Sequence, residues 1–359
     1  MKLPELIIGD LKARKPIIQG GMGIGVSLHK LASAVANAGG IGVISAAQVG
    51  FKEPDFLKNN FEANVRALKK EIQLARELAP NGVLGVNLMV ATNNYNDFVK
   101  ASVEAGIDLI ISGAGLPLDL PKLVAGSNVK IAPIVSSGKA ASLICKTWDK
   151  KYNRIPDLVI VEGPKAGGHL GFHKEHIEDT SYAIDGIVVD VINAVKPFSE
   201  KYNKHIPVVA AGGIFDGHDI ARIMNLGADG VQMGTRFVAT FECDADEKYK
   251  QAYIDAKKED IQIVTSPVGM PGRALTNKFI KKVYSTPDKV RCYYNCLKPC
   301  DPKTAPYCIS TALINAVEGN LDEGLIFCGS NVYRIDKIIS VKDLIEELVT
   351  QAEEKYKEV

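Results

Sequence analysis

Eight short apolar runs recur along the first two thirds of the chain, and most are separated by amphipathic stretches. The runs do not alternate cleanly between apolar and polar residues, which is typical of parallel strands buried on both faces. They span residues 16–20, 41–45, 84–88, 109–112, 131–135, 158–162, 208–211 and 230–233. This repeat predicts an α/β fold, a (β/α)₈ TIM barrel. A doubly wound open sheet is the alternative that the same pattern allows.

The stretches between the runs carry helical patterns. Residues 28–38 place apolar side chains on one helical face. Residues 61–78 and 95–105 behave similarly, and residues 218–226 form a shorter helical stretch that ends before Gly227.

The repeat stops after residue 241, which indicates three segments. We expect a barrel over residues 1–241 and a mostly helical, cysteine-containing insertion over residues 242–330. The last segment, residues 331–359, then carries a helix over residues 341–357 that packs back on the barrel.

Charge and hydropathy exclude several classes of protein. The 359 residues carry a formal net charge of +1 and no long basic run, so we expect no nucleic-acid partner. No stretch approaches the ~18 apolar residues of a membrane span, and residues 1–15 do not resemble a secretion signal. We therefore expect a cytoplasmic protein without a membrane partner.

The seven cysteines are then expected to be thiols, metal ligands or redox groups. Cys292, Cys296, Cys300 and Cys308 follow a C-x3-C-x3-C-x7-C pattern, which matches neither a zinc ribbon nor the ferredoxin run. Free thiols, zinc and an iron–sulfur cluster all stay open, and we assign no metal ligand. Three histidines, at positions 169, 173 and 176, lack acidic ligands before Glu175, which argues against a metal there.

Glycines and polar residues follow the predicted strands, where a barrel of this type carries its functional groups. The last two strands run into Ala211-Gly212-Gly213 and Met233-Gly234-Thr235. Barrels often bind phosphate between these two loops, because glycine lets backbone N–H groups approach the phosphate oxygens. We predict a phosphate site here; the alternative is that the glycines only form tight turns.

The ordered set of strand ends resembles the nitronate monooxygenase family, formerly called 2-nitropropane dioxygenases, and the related flavin-type enoyl-acyl-carrier-protein reductases. The resemblance covers roughly residues 3–241. Single glycine pairs are unspecific, whereas the ordered combination is highly specific. The matching segments are Pro16-Ile17-Ile18-Gln19-Gly20-Gly21-Met22, Ala38-Gly39-Gly40-Ile41-Gly42, Gly85-Val86-Asn87-Leu88, Glu162-Gly163-Pro164-Lys165-Ala166-Gly167-Gly168-His169, Ala211-Gly212-Gly213-Ile214 and Gln232-Met233-Gly234-Thr235-Arg236-Phe237.

The resemblance implies noncovalent FMN as the cofactor. By the same resemblance Gly21 and Met22 would lie beside the isoalloxazine ring, and Asn87 would hydrogen-bond its polar edge. Lys139, after the fifth strand, is placed to face the flavin or its phosphate. The predicted cofactor-binding residues are Gln19, Gly20, Gly21, Met22, Asn87, Glu162, Ala166, Gly167, Gly168, Ala211, Gly212, Gly213, Gln232, Met233, Gly234 and Thr235.

His169 is the catalytic candidate, because imidazole titrates near neutral pH and exchanges protons readily. The family assigns the matching histidine an active-site role, as a base or as a hydrogen-bond donor to substrate. A structural histidine at the start of a loop is the simpler explanation that remains.

The sequence is compatible with three functions. The leading hypothesis is oxidation of an alkyl nitronate by FMN and O₂. The second is an NAD(P)H-dependent reductase acting on an enoyl thioester or a quinone, since one fold serves both reactions. The third is a barrel of nucleotide metabolism that binds a different phosphate ligand. The partner is a small-molecule substrate in each case, with NAD(P)H as a second partner in the reductase, and the sequence leaves a homodimer open.

Overall fold

The computed structural model describes residues 1–285 and 290–357. A hairpin of β1 (Leu6–Ile8) and β2 (Leu11–Ala13) precedes a closed barrel of eight parallel strands. The barrel strands are β3 (Ile17–Gln19), β4 (Ile41–Ser45), β5 (Val83–Met89), β6 (Leu109–Gly113), β7 (Lys130–Val135), β8 (Val159–Glu162), β10 (Val208–Ala211) and β11 (Gly230–Met233). The predicted (β/α)₈ barrel is confirmed, and the open sheet is wrong because β11 pairs with β3 and closes the ring.

The core follows from the apolar runs. Inward-facing strand residues such as Ile18, Ile111 and Val209 are fully buried inside the barrel, and Leu6 and Ile8 of the hairpin pack with them. A second, larger cluster lies between the strands and the surrounding helices. Burial on both faces explains why the strand sequences do not alternate.

Helices surround the barrel, and the four helices predicted from periodicity in this part are present with small differences at their ends. Side chains cap several helices: Ser137 and Asp216 accept hydrogen bonds from the first turns of α5 (Gly138–Tyr152) and α7 (Gly217–Asn225). The helices of this part are α1 (His29–Asn37), α2 (Asn60–Leu78), α3 (Tyr95–Glu104), α4 (Leu120–Leu123), α5 (Gly138–Tyr152), α6 (Ile184–Tyr202), α7 (Gly217–Asn225) and α8 (Thr235–Val238).

The segment after the barrel contains the expected helices, α9 (Glu247–Ile254), α10 (Lys278–Ser285) and α11 (Ile309–Val317), and the closing helix α12 (Val341–Lys355) packs against α7. It also contains an antiparallel hairpin that the sequence did not predict, β12 (Ile261–Thr265) and β13 (Pro271–Leu275). Short 3₁₀ turns lie at Lys174–His176, Thr180–Tyr182, Lys258–Asp260, Leu321–Glu323 and Val332–Arg334.

The hairpin joins the insertion to the mouth of the barrel. β13 pairs with a two-residue strand, β9 (Gly168–His169), so that Gly272 lies opposite His169. The insertion therefore helps to hold the catalytic candidate. Across residues 1–285 and 290–357, no helix is long and apolar enough to cross a membrane.

Candidate active site

A cavity of about 400 Å³ lies at the carboxyl ends of the barrel strands, within the size range of small-ligand sites. All eight strands contribute residues from their ends to its walls, as this type of barrel requires. Nearly the whole predicted set lines it: Gly20, Gly21, Met22, Asn87, Glu162, Ala166, Gly167, Gly168, His169, Ala211, Gly212, Gly213, Gln232, Met233, Gly234 and Thr235.

Two predicted positions lie elsewhere. Gln19 is fully buried inside the barrel, where its amide accepts from Val43 N (3.0 Å) and donates to Val43 O (3.1 Å). It ties β3 to β4 and does not line the cavity. Lys139 is exposed in the first turn of α5 and does not line the cavity either. Among the described cavity-lining residues, Lys165 is the only lysine or arginine.

The two glycine-rich strand ends are neighbours, because β10 pairs with β11, and both line the cavity. Gly212 and Gly213 have φ angles of 93° and 87°, a conformation that glycine adopts at low cost. Asn331 Nδ2 donates to Gly213 O (2.9 Å), and Gly329 N donates to Thr235 Oγ1 (3.0 Å). Within the described residues this hydroxyl group accepts from Gly329 and donates to no group, so its hydrogen is available for a ligand.

Unpaired polar atoms face this cavity. Gln232 Oε1 and Ser330 Oγ are buried and have no hydrogen-bond partner within the described residues, and both residues line the cavity. Leaving such an atom unpaired costs about 1–3 kcal/mol. A ligand that carries donors and acceptors would satisfy both atoms.

Glu162 and His169, two of the titratable side chains that line the cavity, favour their neutral forms. Burial raises the pKa of Glu162, at the end of β8, to about 8, so its carboxyl group is mostly protonated at neutral pH. Burial lowers the pKa of His169 to about 4, so its imidazole is neutral at pH 7. Its Nε2 lies 2.7 Å from Ser266 Oγ, and its ring packs edge-on against Phe327.

Several residues of this cavity were missed by the sequence analysis, and they come from the insertion and the segment after it. Tyr249, Tyr253 and Phe327 form part of the wall, and Tyr253 donates its hydroxyl hydrogen to Phe327 O. Gly329, Ser330 and Asn331 line the cavity as well, and Gly329 and Asn331 contact the two glycine-rich strand ends. The signal was present: Cys328-Gly329-Ser330-Asn331 follows the apolar run Leu325-Ile326-Phe327, the same pattern that marks the barrel strand ends.

The loop between Glu162 and His169 is clamped from two sides. Arg273 of β13 is buried, and its Nη1 donates to Pro164 O (2.8 Å) and to Ala166 O. On the other side, a Cβ at Gly167 would lie 2.7 Å from Gly329 N. Gly167 is therefore needed for contact with the chain at Gly329, and not only for an approach to a cofactor.

A second, narrow cavity of about 70 Å³ adjoins the first. Asn87 and His169 line both cavities, so the two spaces meet at the catalytic candidate. Its walls are largely apolar, with Ile24, Leu88 and Phe98 from the barrel part and Leu297, Ile309 and Leu313 from the insertion.

None of the seven cysteines, all of which lie within the described residues, forms a disulfide bond. Over residues 1–285 and 290–357, no group of three or more His, Cys, Asp or Glu side chains is placed to hold a metal ion. Cys296 lines the second cavity and accepts a hydrogen bond from Ser310 Oγ (3.3 Å). Burial raises the pKa of Cys296 and of Cys300, which favours the thiol over the thiolate.

A closed (β/α)₈ barrel with a polar cavity at its strand ends defines a barrel enzyme that acts on a small molecule. The family model for nitronate monooxygenase matches residues 5–351. The chain thus belongs to the nitronate monooxygenase family, and this membership makes it a flavin-dependent oxidoreductase. The resemblance of the strand-end motifs is confirmed, and the assignment replaces the alternative of a nucleotide-metabolism barrel.

Individual relatives agree with this assignment. The chain is 29% identical to a probable nitronate monooxygenase from Staphylococcus saprophyticus, and the match covers 99% of each chain. FabK from Thermotoga maritima is 28% identical, with a TM-score of 0.73 over 95% of this chain and 93% of that one. A nitroalkane oxidase from Streptomyces ansochromogenes has a TM-score of 0.72 at 22% identity, over 95% and 96% of the chains, and shows the fold alone.

Proposed function

We propose that this chain is an FMN-dependent nitronate monooxygenase that oxidises an alkyl nitronate with O₂. The observation that carries the proposal is that one cavity combines two features. The paired glycine strand ends line it, and so does His169, whose imidazole is neutral and hydrogen-bonded. The family match and the names of its curated relatives support the substrate class.

The cavity fits FMN by its chemistry. Gly212, Gly213, Gly234 and Thr235 would hold the phosphate with backbone N–H groups and a hydroxyl, and Lys165 would supply a positive charge. Gln232 Oε1 and Ser330 Oγ, unpaired within the described chain, would gain partners from polar groups of the cofactor. FMN, when bound, supplies the redox chemistry, and the protein supplies binding and orientation.

The protonation states of Glu162 and His169 suit an anionic substrate. A nitronate carries its negative charge on the oxygens of the nitro group. A protonated Glu162 does not repel this charge, whereas an ionised carboxylate at the same place would. His169 is neutral but still carries one N–H group that can donate to a nitronate oxygen.

Oxygen consumption with an alkyl nitronate tests the proposal. His169→Ala should lower kcat by ~10²-fold or more while FMN stays bound, which is the usual scale for a lost proton-exchanging or hydrogen-bonding group at the reaction centre. His205→Ala is the matched control, because His205 is exposed and precedes β10 at the opposite end of the barrel; it should keep the wild-type rate. Unchanged turnover in His169→Ala would remove this histidine from the mechanism, and no turnover by FMN-loaded wild-type protein would refute the nitronate function.

The second candidate function is an NAD(P)H-dependent reductase acting on an enoyl thioester or a quinone. The largely apolar cavity beside His169 favours it, because an acyl chain would bury more apolar surface against these walls than a small nitronate would. Mixing the protein with NADH or NADPH without O₂ separates the two functions. Rapid bleaching of the flavin absorbance favours the reductase, and stable absorbance favours the monooxygenase.

A further inference from the structure

The placement of His169 depends on the insertion. His169 lies in β9, and the partner strand of β9 is β13 of the insertion, not a barrel strand. The residue that meets its imidazole, Ser266, lies 97 positions further along the chain, in the turn between β12 and β13. A barrel strand end therefore does not by itself orient this ring.

The turn that carries Ser266 is held by its own backbone. Ser266 N donates to Met270 O (3.2 Å), and Gly269 N donates to Ser266 O (2.9 Å). The side-chain oxygen accepts a hydrogen bond from Val268 N (3.3 Å) and lies 2.7 Å from His169 Nε2. Ser266 is buried, so water does not compete freely for its hydroxyl group.

These contacts favour one tautomer of the imidazole. If Nε2 carried the proton, Ser266 Oγ would accept from both Nε2 and Val268 N, and the hydrogen of this buried hydroxyl group would have no acceptor within the described residues. A buried donor left unpaired costs about 1–3 kcal/mol. If Nδ1 carries the proton, Ser266 Oγ donates to Nε2 and accepts from Val268 N, and the one donor left over, Nδ1–H, belongs to a ring that lines the cavity, where a ligand can accept from it.

We propose that Ser266 is a positioning residue that holds His169 as the Nδ1–H tautomer, so that His169 meets the substrate as a hydrogen-bond donor and not as a base. Within the described chain Nδ1 makes no hydrogen bond, and the ring lines both cavities. The Nδ1–H group is then free for an oxygen that carries excess negative charge. The catalytic consequence rests on the proposed function, whereas the tautomer itself does not.

The tautomer can be measured directly in the flavin-loaded protein labelled with ¹⁵N-histidine. Protonated and unprotonated ring nitrogens resonate far apart, and His169→Gln identifies the signal among the six histidines. We expect wild-type protein and Ser266→Thr, which keeps the hydroxyl group, to show a protonated Nδ1. Ser266→Ala should shift the population towards Nε2–H and lower kcat about tenfold, the equivalent of one lost hydrogen bond, with KM changed less.

Flavin absorbance and thermal unfolding establish that each variant is folded, and Ser266→Thr covers the case in which the alanine variant does not fold. A protonated Nε2 in wild-type protein would overturn the proposal, and so would a Ser266→Ala variant that keeps both Nδ1–H and the wild-type kcat. If nitronates are not turned over but Nδ1–H is observed, the nitronate function fails while the role of Ser266 stands.

Discussion

Replacing Arg273 by Met tests whether one buried side chain of the insertion holds the loop that leads to His169. The guanidinium donates to Pro164 O and Ala166 O, and each hydrogen bond from a charged group contributes about 1.5–3 kcal/mol. Burial lowers the pKa of Arg273, which shows that desolvation of the charge opposes this gain. Glu178 lies 3.9 Å away but is exposed, so it adds little. We expect the free energy of unfolding to fall by ~2–4 kcal/mol.

Urea unfolding, followed by circular dichroism, measures this loss in the flavin-free protein. The midpoint should fall in Arg273→Met with little change in the slope m, and Arg273→Lys should recover part of the loss because it keeps the charge. Flavin affinity should fall as well. Arg273 donates to the carbonyl oxygen of Ala166, and Ala166 lines the cavity. Arg66→Met is the matched control: this arginine is half exposed, and we expect no resolvable change.

The two results that would refute the reasoning differ in meaning. A wild-type urea midpoint in Arg273→Met would show that the loop does not depend on these hydrogen bonds. A lowered midpoint with unchanged flavin affinity would show that the clamp stabilises the chain without shaping the cavity.

Two further predictions concern titratable or charged side chains that line the cavity, Glu162 and Lys165. The pKa of Glu162 is about 8 in the folded chain and near 4.5 when unfolded, so the unfolded chain releases a proton that the folded chain keeps; stability therefore falls as pH rises between these values. The lowered pKa of His169 has the opposite effect on stability below about pH 6.5, so unfolding of the flavin-free protein is measured between pH 6.5 and 8, where Glu162 dominates. In Glu162→Gln the free energy of unfolding should depend less on pH over this range. The same pH dependence in the variant and in wild-type protein would contradict the raised pKa of Glu162. Lys165→Met should weaken FMN binding about fivefold in a fluorescence titration and leave riboflavin, which lacks the phosphate, unchanged; equal losses for the two ligands would exclude a contact with the phosphate.

The barrel was predictable because its signals are local. The runs at 41–45, 208–211 and 230–233 coincide with β4, β10 and β11, since strands buried on both faces need continuous apolar sequence. The cavity followed from topology, because parallel strands of a barrel place all their carboxyl ends at one mouth. Position along a strand was enough to collect, before any contact was known, most of the predicted cofactor residues that line this cavity.

Position in the sequence does not predict whether a residue lines the cavity when this depends on the direction of its side chain. Gln19 ends a strand as predicted, but its side chain points into the wall of the barrel and bonds Val43. Lys139 and Lys165 both follow glycine-bearing strand ends, yet Lys139 begins an external helix while Lys165 stays in the loop at the mouth. No periodic pattern distinguishes these cases, because each depends on where the chain turns after the strand.

The hairpin β12–β13 was missed because its pattern is weak: of the five residues of β12, Val264 alone is buried. Its consequences are nevertheless large, since it supplies Ser266 to the imidazole and Arg273 to the loop before it. The insertion also contributes much of the apolar cavity, including Leu297 and Ile309. The barrel alone therefore accounts for most of the predicted flavin site, whereas the groups that orient His169 and surround the space beside it come from the insertion. Because the insertion supplies these groups, exchanging it should change which substrate is accepted before it changes which cofactor is bound.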